Sequence, residues 1–263
     1  MEFRNGDKRL FNVFGTVMKI FEIFGLSRSG HHAMLNWVIK NITSYESEMK
    51  WKLQLMEDGL VYINEANLDT DITLKYIDEH KKNMRVLVLS YENCDLKYSI
   101  LNKNYNYTSP LSINHDSVIN FHNNYRIIFI RDFYDNLASR LKSNENGLAK
   151  DRNGNFVEWD TESNFIESWK ESARYILNNK FLWLKFEDWL NDKKIRDEFM
   201  SKIIGHGELY DNEVTGTVSS FGDKNVIDRY SQIEIPQKTK DLIRQDSELH
   251  YLIGKLNYNY KKI

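Results

Sequence analysis

Residues 25 to 32 read GLSRSGHH, a polar turn with an apolar run on either side. Two glycines enclose two hydroxyls and a guanidinium. A glycine-flanked loop between a strand and a helix points several backbone N–H groups at one spot, and the helix N-terminus adds roughly half a positive charge. Arg28 sets a fixed cation with planar, paired donors inside that loop, and Ser27 and Ser29 add hydroxyl donors. With Gly30 closing it, the loop reads as a cradle for a phosphate or sulfate. His31 and His32 follow: their ring N–H groups supply donors to the anion, or the pair begins the helix with no chemical part, since the helix dipole disfavours an imidazolium there.

A nucleotide-hydrolysing loop of this kind needs Gly-x-x-x-x-Gly-Lys and then Ser or Thr, the lysine reaching terminal phosphates and the hydroxyl holding magnesium. Gly25 and Gly30 fit that spacing, but His31 and His32 stand where the lysine and hydroxyl would be. The cation has moved into the loop, which disfavours a magnesium-dependent ATPase or kinase and calls for no metal.

The loop needs a strand before it and a helix after it. Residues 19 to 24 (KIFEIF) are β-branched and aromatic, and residues 31 to 40 are apolar enough for a buried helix. The alternation recurs. RVLVLSY (85–91) and YRIIFI (125–130) read as strands, and RDFYDNLASRLKS follows the latter with Phe133, Leu137 and Leu141 four apart. A helix over 161–178 places Phe165, Trp169, Ala173, Ile176 and Leu177 on one face, FLWLKF (181–186) reads as the next strand, and the helix-like tail over 239–258, with Leu242, Leu249, Leu252, Ile253 and Leu256, is expected to pack on the core and is assigned no chemistry. Strands apolar throughout, separated by amphipathic helices, predict an α/β three-layer fold: a central, mostly parallel sheet flanked by helices, P-loop-like, with the ligand at the carboxyl ends of the strands. Polar, turn-rich stretches at 94–124 and 144–160 read as loops over that edge.

Composition narrows the classes. Lys and Arg total 36 against 38 Asp and Glu, a net charge of −2, which gives no support for nucleic-acid binding by overall charge. A single cysteine, Cys94, excludes an intrachain disulfide and any multi-cysteine zinc site. Lys19 and Glu22 interrupt the apolar stretch over 11–24, so neither a signal peptide nor a membrane span is expected. The expectation is one cytoplasmic domain over residues 1–263.

GLSRSGHH before an apolar helix, and IIFIRDFYDNLASR later in the chain, resemble the two nucleotide-binding motifs of the sulfotransferase family. FLWLKFEDWLND resembles that family's strand with its Phe-Glu-Asp motif, and VSSFGDKNVIDRY (218–230) its late nucleotide-packing segment. The resemblance spans roughly residues 19 to 230 and implies a sulfotransferase using 3′-phosphoadenosine 5′-phosphosulfate (PAPS) and releasing adenosine 3′,5′-bisphosphate (PAP), without a metal. It implies that the first loop holds the 5′-phosphosulfate and that Arg131 and Ser139, eight positions apart, hold the 3′-phosphate. It further places Ser220 and Phe221 at the adenine end, with Lys224 or Arg229 toward the 3′-phosphate. The chain departs from the family's usual pattern at His31, His32 and Phe133, where hydroxyl residues and a proline are common.

Sulfuryl transfer needs positioning, charge stabilisation at the transferring group and a base for the acceptor's proton. Arg28 and the loop amides suit the second task. For the base, Glu65 in LVYINEANLDTD leads, because residues 60–64 read as a strand that would end beside the site; His115 and Glu92 are its rivals. The acceptor carries a hydroxyl or amine, and saccharide, peptide tyrosine, lipid headgroup and small alcohol all remain open. A divergent P-loop kinase and a non-catalytic nucleotide-binding protein of the same fold are the competing readings.

Overall fold

Strand β1 (Lys19–Gly25) is buried along almost its whole length, which is why it shows no polar alternation. It lies in the middle of a six-stranded sheet, of which the computed structural model describes residues 19–26, 29–43, 53–55, 60–63, 84–92, 123–145, 162–178, 181–212 and 229–258 of the chain. The strands are β2 (Leu53–Leu55), β3 (Leu60–Ile63), β4 (Val86–Glu92), β5 (Asn123–Ile130) and β6 (Leu182–Lys185), in the order β2-β3-β4-β1-β5-β6. All neighbours run parallel except β2, which pairs antiparallel with β3 at one edge.

The helices are α1 (His31–Thr43), α2 (Phe133–Glu145), α3 (Glu162–Asn178), α4 (Phe186–Asn191), α5 (Lys193–Ile204), α6 (Gln237–Gln245) and α7 (Ser247–Lys255), with a 3₁₀ turn at Arg229–Gln232. Period-two alternation divides the strand residues between two cores. Phe21, Ile23, Tyr62, Val88 and Phe129 face the core closed by α1, α4 and α5. Ile20, Phe24, Ile63, Leu89, Tyr91 and Ile130 face the core closed by α2, α3, α6 and α7. This is the predicted three-layer α/β architecture. Glu22 is the exception in β1: buried in the sheet, it accepts hydrogen bonds from Arg126 Nε at 3.0 Å and Tyr91 Oη at 3.2 Å, which offset the cost of burying its charge.

Four expectations are corrected. β5 begins at Asn123, inside the stretch read as loop. The strand read over 181–186 stops at Lys185, and Phe186 opens α4, whose first turn carries Glu187 and Asp188, charges that favour a helix N-terminus. Leu177 and Leu242, read as packed, are 41% and 39% exposed; they lie outside the buried stripes formed by Phe165, Trp169, Ala173 and Ile176 and by Thr239 and Ile243. The helical tail is two helices rather than one. Asp246 breaks it, its carboxylate accepting the Leu249 N–H at 2.8 Å as the N-cap of α7 and meeting Lys170 Nζ at 2.8 Å.

Candidate functional site

β1 and β5 are adjacent parallel strands, yet the helices that follow them go to opposite faces of the sheet: α1 to one core, α2 to the other. Where connections diverge in this way a crevice opens at the carboxyl ends of the strands, the usual ligand position in open α/β sheets. Glu92, Gly25 and Phe129 form one row across β4, β1 and β5 at that edge.

The turn after β1 explains its glycines. Ser29 N–H donates to Leu26 C=O at 3.1 Å, and Gly30, with φ of 83°, accepts the Met34 N–H at 3.1 Å as the cap of α1. That positive φ favours glycine, and a Cβ there would run into the Phe186 ring. A Cβ at Gly25 would strike the His31 imidazole. The first turn of α1 has no acidic residue, so no fixed negative charge there opposes an anion at the helix N-terminus. Ser29 is fully buried, and its hydroxyl has no hydrogen-bond partner among the described residues. Such a buried donor costs free energy unless a ligand completes it.

The two histidines differ. His31 is buried, its Nε2 2.8 Å from Ser90 Oγ, and Nδ1 has no hydrogen-bond partner among the described residues. Burial, with the neighbouring His32 charge, drops His31 to about 3 against the opposing pull of Glu92, so its ring is neutral. His32 lies at the rim, its Nε2 3.6 Å from Glu92 Oε2. Burial pushes the Glu92 carboxyl up, but the His32 hydrogen bond and charge, with the charge of Arg140, outweigh it and hold the group at about 2. An ionised carboxylate thus stands beside the Gly25 turn.

After β5 the chain turns at Arg131 and Asp132. Arg131 is 3% exposed, with its guanidinium carbon 5.0 Å from the centroid of the Phe186 ring. The Trp169 indole N–H donates to Arg131 C=O at 3.0 Å, and Asp132 caps α2 by accepting the N–H groups of Tyr134 and Asp135 at 3.0 and 3.1 Å. Ser139, two turns into α2, is buried as well. The 3₁₀ turn that begins at Arg229 is fastened to the start of α2: Tyr230 N–H donates to Asp135 Oδ1 at 3.2 Å, and its ring lies 5.7 Å from that of Tyr134. The backbone of Arg229 is therefore carried to the same end of α2.

Ser29, Gly30, His31 and His32 are thus gathered on the β1 turn, with Arg131 and Ser139 on the β5 turn and its helix. Ser27, Arg28, Glu65, His115, Ser220, Phe221 and Lys224 lie outside the described residues. β3 covers Leu60–Ile63, against the strand read over 60–64, and Glu65 follows it by two positions in the sequence. Sequence reasoning did not single out Ser90, whose hydroxyl meets His31, or Arg140. Arg140 is buried with its guanidinium carbon 4.8 Å from the Phe165 ring centroid; its place directly after Ser139 was the signal available.

No family model and no curated protein matches the sequence. Solved structures do. A mouse sulfotransferase complexed with PAP superposes with a TM-score of 0.48 at 11% identity, covering 95% of this chain and 94% of that one. The sulfotransferase domain from the curacin biosynthetic pathway gives 0.47 at 15%, covering 93% and 99%. A sulfotransferase from Alicyclobacillus acidocaldarius gives 0.45 at 10%, covering 93% and 98%. Among the described residues, no helix is long and apolar enough to cross a membrane.

Proposed function

We propose that the chain is a PAPS-dependent sulfotransferase acting on a hydroxyl or amine. The observation that carries the reading is the pair of basic, donor-rich turns on adjacent strands, β1 and β5, whose helices leave toward opposite faces. Neighbouring strands lie about 5 Å apart, so one compact nucleotide bearing two separate anionic groups can engage both turns.

The residues fit such a donor. Ser27, Arg28, Ser29, Gly30 and the first N–H groups of α1, at His31 and His32, would hold the 5′-phosphosulfate. Arg131, Ser139 and Arg229 would hold the 3′-phosphate, and Ser220 and Phe221 the adenine end. When bound, PAPS supplies an activated sulfuryl group on a phosphate leaving group. Arg28 and the loop amides then counter the charge that gathers on the oxygens around sulfur. A base at the same sheet edge would take the acceptor's proton. Glu92 stands opposite Gly25 in the register and is already ionised. Glu65 follows the carboxyl end of the parallel strand β3, and His115 is the remaining candidate.

A thermal-shift series with PAP, AMP, ATP and coenzyme A tests the reading, because a ligand that binds only the native state raises the melting temperature by mass action. PAP should stabilise more than AMP, with no need for magnesium. Equal shifts for PAP and AMP would remove the 3′-phosphate assignment, and a larger magnesium-dependent shift with ATP would favour the kinase reading.

A further inference from the structure

The turn that carries Arg131 is held from a distant part of the chain. Its Asp132 N–H donates to Glu187 Oε1 at 3.0 Å, and the other oxygen of that carboxylate, Oε2, accepts from Tyr258 Oη at 3.2 Å. Tyr258 arrives there because α7 ends in a left-handed turn. Asn257 has φ of 56°, and the Tyr258 N–H returns to Ile253 C=O at 3.0 Å, the bond that reverses the chain at a helix C-terminus. The phenol ring is then fixed between neighbours: Trp169 at 6.4 Å between centroids, and Lys185 with its ammonium 4.5 Å from the ring centroid. Trp169 is the same residue that holds Arg131 C=O.

Glu187 is an uncomfortable carboxylate. Burial and the nearby Asp132 charge push it up, opposed by the hydrogen bonds from Asp132 N–H and its own N–H and by the charge of Arg131. A buried carboxylate keeps its orientation only while both oxygens have donors. We infer that Tyr258 is a positioning residue for the proposed 3′-phosphate site: by fixing Glu187 it fixes Asp132 N–H, and with it the direction in which Arg131 leaves β5. The inference rests on the reading of Arg131 given above, and it makes Tyr258 a determinant of selectivity for nucleotides with a 3′-phosphate. Neither Tyr258 nor Glu187 need touch the ligand.

Tyr258→Phe removes one hydroxyl and keeps the ring packing. Calorimetric titration of parent and variant with PAP and with AMP reads the effect as a ratio of affinities. The variant should lose roughly threefold to tenfold in PAP affinity, the size of one net hydrogen bond, with AMP affinity little changed. Glu187→Ala should lower the same ratio, and adding Tyr258→Phe to it should lower it no further, since the two act as one unit. A general loosening of the fold would weaken both nucleotides alike, and that result, or an unchanged ratio in Tyr258→Phe, overturns the inference. Parent protein that does not prefer PAP over AMP would instead defeat the 3′-phosphate reading itself, and this inference with it.

Discussion

Replacing Arg131 with alanine isolates one end of the proposed donor. Arg131 as a whole residue is 3% exposed and its guanidinium carbon lies 5.0 Å from the centroid of the Phe186 ring, so little water competes for it and its direction is set before a ligand arrives. A charge-assisted contact between such a group and a phosphate contributes about 1.5–3 kcal/mol. At about 1.4 kcal/mol per tenfold, Arg131→Ala should bind PAP roughly 10- to 150-fold more weakly than the parent. AMP has no 3′-phosphate, so its affinity should hardly move. The same substitution removes a cation–π contact of about 0.5–2 kcal/mol, so the melting temperature is followed in parallel to separate folding from binding. It also removes the positive charge that draws Glu187 down, pushing that carboxyl further up. A variant that binds PAP like the parent, or loses PAP and AMP to the same degree, would refute the assignment.

Arg28→Ala, at the other end of the donor, should lower turnover as well as PAPS binding, because its charge is matched to the transferring group; steady-state kinetics showing only a KM effect would make Arg28 a binding residue alone. Glu65→Gln and Glu92→Gln each preserve shape and remove a base, so the true base should keep PAP affinity and lose sulfuryl transfer by about 10²–10⁴-fold. Near-parental transfer in both, with His115→Ala inactive, would move the role to His115. Stability should fall as pH drops from 6.5 toward about 3, because unfolded chains protonate His31 in that window while burial keeps the native ring neutral. Urea midpoints at several pH values should show that fall in the parent and a flatter profile in His31→Gln, and identical profiles would contradict it.

Much of the fold was legible because its strands are buried on both faces. VLVL and IIFI read as continuous apolar runs and IFEIF as one broken only by Glu22, and the two glycines of the β1 turn marked the strand-to-helix junction after the last of these. Arg131, at the end of one such run, and Ser139, eight positions on, were singled out only through the resemblance to the sulfotransferase motifs. Features set by long-range contacts were not legible. Ser90 gave no sign that its hydroxyl meets His31, 59 residues earlier, and Tyr258 reaches Glu187 only through the left-handed turn at Asn257. The break at Asp246 was hidden because a capping aspartate inside an amphipathic run looks like any charged surface residue until Lys170 and Leu249 N–H are found beside it. Leu177 and Leu242 misled for the reverse reason: an apolar residue next to a helix stripe fits the periodicity whether or not a neighbour covers it.

The central claim is that one nucleotide joins the turn after β1 to the turn after β5, and a crystal structure with PAP bound addresses it most directly. The account predicts the 5′-phosphate among the N–H groups of the Ser29–Gly30 turn and the start of α1, and the 3′-phosphate within hydrogen-bond distance of Arg131 and Ser139. PAP lying elsewhere, or bound in the crevice with its 3′-phosphate turned away from Arg131, would contradict it.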